Sequence, residues 1–189
     1  MKNFLKLGLI SLISAGALYA GTYNVDASHS HVGFKVKHMM ISNVKGNFDN
    51  FNGSFVYDEE TKTLTSLSGN VAIASINTDN AKRDGHLKSG DFFSADKFPE
   101  IKFELSKVAG DTAYGKLTMR GVTKDVELDI ENNGMIKDPW GNTRVGLALS
   151  GKIDRTDFGL KWNKALEAGG VVVGETIKLD IEIEGIKTK

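Results

Sequence analysis

Thr176-Ile177-Lys178-Leu179-Asp180-Ile181-Glu182-Ile183-Glu184 alternates polar and apolar side chains without a break. A period of two places Ile177, Leu179, Ile181 and Ile183 on one face of an extended chain and the charged residues on the other. The segment therefore reads as a strand with one dry face and one wet face.

The same alternation recurs upstream. Val32, Phe34 and Val36 oppose His31, Gly33, Lys35 and Lys37; Phe51, Gly53, Phe55 and Tyr57 oppose Asn52 and Ser54; Val71 and Ile73 oppose Asn70, Ala72 and Ala74. Ile101, Phe103 and Leu105 follow, then Leu117 with Met119, then Val126, Leu128 and Ile130, then Val145, Leu147, Leu149 and Ile153. Turn-forming residues punctuate the runs at Asn50 to Gly53, Asp58 to Lys62, Ala109-Gly110-Asp111, Asn132-Asn133-Gly134 and Asp138-Pro139-Trp140-Gly141. Such spacing predicts an antiparallel meander rather than βαβ units. Only two stretches read as helical: Asn80 to Ser89, anchored by Leu87 and weakened by Gly85, and a turn over Lys164 to Ala168.

About eight amphipathic strands with so little helix must hide their dry faces in a two-sheet sandwich or by closing on themselves, and closure also removes exposed edges. A barrel of about eight strands has an interior that side chains can fill or that can hold one small ligand. The pattern leaves both open. One insert, Asp91-Phe92-Phe93-Ser94-Ala95-Asp96-Lys97-Phe98-Pro99, fits no strand period. An apolar insert set against the opening of a barrel makes lipid carriage the leading question.

The first twenty residues stand apart. Lys2 and Lys6 form a positive n-region, Leu7 to Leu18 an apolar h-region, and Leu18-Tyr19-Ala20 a small-residue cleavage site. This predicts a leader over 1–20, cleavage after Ala20, and export to the periplasm or beyond. The apolar stretch is shorter than the roughly 18–20 residues that a membrane span needs. Cysteine is absent, which removes both disulfides and the acceptor of a lipoprotein signal. Residues 21–189 are expected to form one domain held by burial alone.

The full chain carries 24 basic and 24 acidic residues, and losing Lys2 and Lys6 leaves 22 against 24, a formal charge of −2. Without a basic stripe the chain is not read as a nucleic-acid binder, nor as one that adheres electrostatically to anionic membrane. His29 and His31 share a strand face and could be joined by His38 or His86, but four histidines without Cys or a His-x-x-x-His pair make no recognisable metal set. They read as surface or capping residues, and no cofactor is expected. No Gly-x-Ser-x-Gly elbow, phosphate loop or dinucleotide-binding glycine signature occurs, so the protein is read as a non-enzyme.

Several ordered motifs resemble the YceI-like family of lipocalin-like proteins, also described as polyisoprenoid-binding. They include Asp26-Ala27-Ser28-His29-Ser30, Phe34-Lys35-Val36-Lys37-His38-Met39, Val44-Lys45-Gly46-Asn47-Phe48, Ser75-Ile76-Asn77-Thr78, Arg83-Asp84-Gly85-His86-Leu87, Asp91-Phe92-Phe93, Lys97 to Phe103, Arg120-Gly121-Val122-Thr123-Lys124 and Arg155-Thr156-Asp157-Phe158-Gly159. The resemblance covers essentially all of residues 21–189. It implies an all-β, eight-stranded antiparallel lipocalin-like barrel, with one short helix and an aromatic loop at its mouth. It also implies a long-chain isoprenoid or acyl ligand, such as an isoprenoid quinone or a fatty-acid derivative. Ala27, Ser28, Asn77, Gly85 and Asp125 depart from the family's usual residues and are read as turn positions.

On this reading the ligand is lined by inward apolar side chains, among them Phe34, Val36, Phe48, Phe51, Ile73, Phe103 and Leu147. The mouth is assigned to His38, Met39 and Met40 together with Asp91, Phe92, Phe93 and Phe98, and Trp162 to the rim. Phe92, Phe93 and Phe98 read equally well as a plug that touches no ligand. Arg83 with Asp84 and Arg155 with Asp157 could hold a polar head group, although such pairs more often tie loops to a barrel end. Transient membrane contact and a homodimer are compatible with this reading. The rival readings are an enzyme acting on a lipid inside the barrel and a solid-core interaction module.

Overall fold

The computed structural model describes residues 20–167 and 169–189. The expected leader lies outside the described residues except for Ala20, which opens the first strand. The strands are β1 (Ala20–Val25), β2 (His31–His38), β3 (Ser42–Phe48), β4 (Phe51–Asp58), β5 (Thr63–Ala72) and β6 (Ile76–Asn77). After the helix α1 (Ala81–Lys88) come β7 (Glu100–Ala109), β8 (Thr112–Met119), β9 (Val122–Lys137), β10 (Thr143–Asp154) and β11 (Val173–Lys187).

Hydrogen-bonded neighbours run β1-β4-β5-β7-β8-β9-β10-β11, and β11 returns to β1. The ring is a closed eight-stranded antiparallel barrel, the architecture that the period-two runs call for. Its last strand is shared. β11 pairs with β2 between Val173 and Glu182, and with β1 between Gly185 and Lys187. The sheet therefore forks at β11, one branch continuing through β1 to β4 and the other through β2, β3 and the two-residue β6.

Three strands escape the alternation test, and β3 illustrates why. Its inward set is Val44, Gly46 and Phe48, and the middle position carries no side chain because the Phe34 ring fills that space: a Cβ on Gly46 would lie 2.5 Å from its tip. Asn132-Asn133-Gly134, expected as a turn, instead lies within the 16-residue β9. Leu147 faces Asn132 and Gly146 faces Gly134, which leaves Asn133 as an extra residue in a bulge with Gly134 at φ 96°. The expected helical turn at Lys164 is also absent among the described residues, where Ala165 bridges Val171. Of the five positions read as turns, Ala27 and Ser28 lie in one, whereas Asn77 is in β6, Gly85 in α1 and Asp125 in β9.

The Asn80–Ser89 expectation is met by α1, whose start is fixed by the Asn80 side chain accepting from Arg83 N at 3.0 Å. Arg83 and Asp84 do not pair with each other. Both grip Thr78: Arg83 Nε donates to its hydroxyl at 2.8 Å and Nη2 to its carbonyl at 2.6 Å, while the Asp84 carboxylate accepts from Thr78 N at 3.0 Å. Arg120, at the β8–β9 turn beside Gly121, donates to the carbonyls of Gly159 and Gly90. These arginines tie loops to the barrel.

Two packed clusters fill the two ends. The first contains Tyr23, Phe55, Tyr57, Leu64, Leu67 and Leu147, with Tyr23 stacked on Phe55 at 5.1 Å. The second contains Phe48, Ile73, Ile76, Phe158 and Leu160 with the insert residues Phe92 and Phe93, and Leu87 of α1 packs against it.

Candidate functional site

Between the clusters lies a cavity of about 200 Å³. One enclosed water requires roughly 10–15 Å³. The cavity is therefore far larger than a packing defect, in an interior where larger voids are few. Its walls are the inward positions of the alternating strands: Val32, Phe34 and Val36 of β2, Phe51 of β4, Leu67 and Val71 of β5, Ile101 and Phe103 of β7, and Leu117 and Met119 of β8. Val126 and Leu128 of β9, Leu149 of β10 and Ile177, Leu179, Ile181 and Ile183 of β11 complete the ring. The polar residues in the lining are Asn52, Ser68, Asn70 and Arg155, of which the first three occupy outward positions of β4 and β5.

The cavity reaches the region where the sheet forks. Val25 on β1, Gly33 on β2 and Asn52 on β4 stand where the two branches part, and Asn52 and Ser68 are exposed. Opposite glycines widen this region, since Gly53 pairs directly with Gly69 on the inward face between Phe51↔Val71 and Phe55↔Leu67.

Seven of the fifteen residues assigned to a ligand or its mouth from sequence reach this space: Phe34, Val36, Phe48, Phe51, Phe92, Phe93 and Phe103. The other eight, His38 among them, lie outside its lining. Ile73, read as a strand residue, begins a 3-10 turn and is wholly buried in the second cluster; Leu147 is buried in the first. Met39 and Met40 form the β2–β3 turn at φ 49° and 63°, which turns them outward at 43% and 54% exposure. Asp91 is exposed and pairs with His86 Nε2 at 2.9 Å. Phe98 covers Gly121, where a Cβ would sit 2.7 Å from its ring. Trp162 packs behind the lining, edge-to-face on His86 at 4.9 Å and tilted on Phe92 at 5.2 Å.

The insert both plugs and lines. The backbone of Phe93 donates to Leu87 O at 3.0 Å, Ser94 to Ser89 O at 2.8 Å and Ala95 to Lys88 O at 2.9 Å, so the loop folds back on the end of α1. That fold carries Phe92 and Phe93 inward, and Phe93 meets Phe48 edge-on at 6.3 Å. Sequence reading does not assign Leu160, which follows the Arg155–Phe158 turn, or Val173, the first residue of β11, because both lie outside every alternating run.

Arg155 also lines the cavity and is only 3% exposed. It does not pair with Asp157. Its Nε donates to Gly174 O at 2.9 Å and its Nη2 to Val173 O at 3.3 Å, and Nη1 donates to Leu160 O. Burial pulls its pKa down from the usual arginine value, against the attraction of Glu175 and Asp154.

A second charged group sits where β1 leaves the ring. Arg144 pairs with Asp26 at 2.9 Å, with Asp138 at 2.7 Å and with Glu184. Hydrogen bonds from Ser28, His29 and Arg144 hold the Asp26 carboxyl well below the usual carboxylate range, and the Arg144 guanidinium does the same for Asp138. Among the described residues Asp26, His29 and Glu184 bring three donor atoms within 4.8 Å of one another, and Arg144 already donates to both carboxylates. His31, His38 and His86 are not part of this group.

Fold and site together define a class: a closed antiparallel β-barrel built around an apolar internal cavity. A family model described as the YceI-like domain matches residues 23–185. The UPF0312 protein SA2479 of Staphylococcus aureus strain N315 is 39% identical over 163 residues, covering 86% of this chain and 95% of the relative. The crystal structure of a Campylobacter jejuni YceI protein superposes with a TM-score of 0.71 at 37% identity, covering 87% of this chain and 96% of that one. The chain belongs to the YceI-like family. The same fold recurs at 16% identity and a TM-score of 0.63 in a polyisoprenoid binding domain from Saccharophagus degradans, over 88% of this chain and 98% of that domain.

Proposed function

We propose that this protein carries one long-chain lipid, isoprenoid or acyl in type, within its barrel, and that it does so outside the cytoplasm after removal of its leader. The observation that carries the reading is the cavity itself, enclosed by inward strand positions that are almost entirely hydrocarbon. The description of the Saccharophagus degradans domain as polyisoprenoid-binding supports the choice of ligand class. Energetics suit a shuttle rather than a sink. Each tail CH2 that enters the cavity gains roughly 0.8 kcal/mol gross, but ordering the ligand subtracts from this. A bilayer offers the same tail an equally apolar home, so exchange between the two is close to neutral and polar contacts decide which head group is kept.

The cavity weighs against a solid-core interaction module, and no pairing of groups in its lining favours an acid, base or nucleophile. Native mass spectrometry of the exported protein, followed by organic extraction, tests the proposal. A single lipid at about one per chain is the expected result. A protein recovered empty that also refuses added quinones, prenols and fatty acids would end it.

A further inference from the structure

The polar residue buried deepest among the apolar lining is a cation. The Arg155 guanidinium carries five N–H donors, and three of them reach the carbonyls of Leu160, Val173 and Gly174. All three acceptors are neutral, and among the described residues no carboxylate forms an ion pair with Arg155. The two carboxylates that attract it act from farther away. Asp154 accepts from the Thr156 amide at 2.8 Å and its hydroxyl at 2.7 Å, and Glu175 is exposed.

Holding the loop does not require this charge. Asn163, a neutral amide, performs the same task beside it: Nδ2 donates to Val173 O at 2.7 Å and Oδ1 accepts from Val173 N at 3.1 Å. A buried positive charge satisfied only by carbonyl dipoles is costly, and its removal from water is repaid best by an opposite charge with room for a bidentate contact. Here the charged residue borders a cavity whose other inward side chains offer a tail nothing but hydrocarbon.

We propose that Arg155 is the counter-ion for the head group of the bound lipid, and that the cavity takes a single-chain anionic amphiphile, a carboxylate or phosphate monoester on one apolar tail. The head lies at the end formed by Phe92, Phe93, Leu160 and Val173, and the tail runs toward Leu128, Leu149 and Ile183. The inference rests on the lipid-carrier reading and narrows it.

Two ligand pairs differing only in head charge test it: hexadecanoate against hexadecanamide, and farnesyl phosphate against farnesol. Each is titrated below its critical micelle concentration into the delipidated full-length mature protein at pH 8, displacing the neutral dye N-phenylnaphthylamine. The charged member of at least one pair should bind about tenfold more tightly or better, and the pair that responds tells acyl from isoprenoid. Arg155→Gln should bring the two members of that pair level, whereas loss of a structural clamp alone would weaken both and leave their ratio in place. Arg155→Lys should retain the preference. Equal affinities within both pairs in the wild-type protein overturn this inference and leave lipid carriage standing; refusal of all four ligands overturns both. Should Arg155→Gln fail to fold, the wild-type ratios decide alone.

Discussion

Gly69→Leu should make the empty barrel more stable and the loaded barrel rarer. Gly69 sits on β5 between Leu67 and Val71, both inward, so a side chain there enters the cavity. A Cβ built on it meets nothing nearer than Asn52 O at 3.7 Å. Burying a leucine gains roughly 1.5–3 kcal/mol, and replacing a mid-strand glycine recovers about 0.5–1 kcal/mol of chain entropy. Overpacking commonly takes back ~1–3 kcal/mol, but the open space at this position favours the low end. The net expectation is a gain of about 1 kcal/mol, or ~2–4 °C in Tm for a domain of this size, read by thermal unfolding of delipidated protein. The inserted side chain displaces three or four ligand carbons at ~0.8 kcal/mol each, so affinity should fall about 50- to 200-fold in the dye-displacement assay. Gly53, directly opposite, is the control. Its Cβ would lie 2.6 Å from the carbonyl oxygen of Ser68, so Gly53→Leu must move backbone and should destabilise. If Gly69→Leu proved as damaging as Gly53→Leu, the space would not be empty. If it folded well and bound lipid undiminished, the ligand would lie elsewhere.

Acid should loosen the fold through the Arg144 cluster. Asp26 and Asp138 have folded pKa values below their unfolded ones, so the unfolded chain binds more protons; the stability they add is present above about pH 4 and lost as pH falls through the folded values. Urea midpoints measured from pH 6 to 2 should decline, and Arg144→Met should lower the neutral-pH midpoint and flatten that decline; an unchanged profile would deny the cluster this role. Phe158→Ala removes a ring that is 2% exposed and absent from the cavity lining. It should cost about 3–5 kcal/mol in chemical unfolding and leave lipid affinity within about threefold, and a large affinity loss in the folded variant would show that the cavity wall depends on it.

The barrel was legible wherever inward positions carried hydrocarbon, as in Ile177 to Ile183. It faded where an inward position was glycine, since Gly46 contributes to the core by yielding space to Phe34 and offers the eye no apolar signal. Asn132 to Gly134 has the composition of a turn, and a bulge within a paired strand uses the same residue types. Site residues on strands were recoverable from period two. Those on loops were recovered only in part, because Met39 and Phe92 are both large apolar residues on loops, and only the positive φ angles of one and the fold-back on α1 of the other decide which way each faces. Sequence offers Arg155 only as half of a pair with Asp157, because its isolation from carboxylates depends on what the chain brings near it in space.

Because β11 bonds to β10, β2 and β1, the last fifteen residues of the described strands stitch the earliest part of the chain to the latest. No partial product of synthesis can seal the wall, and a chain stopped before Val173 is an open sheet with two raw margins. Contacts spanning so much sequence also fold slowly. The polypeptide thus stays unfinished, and threadable, until β11 has been made.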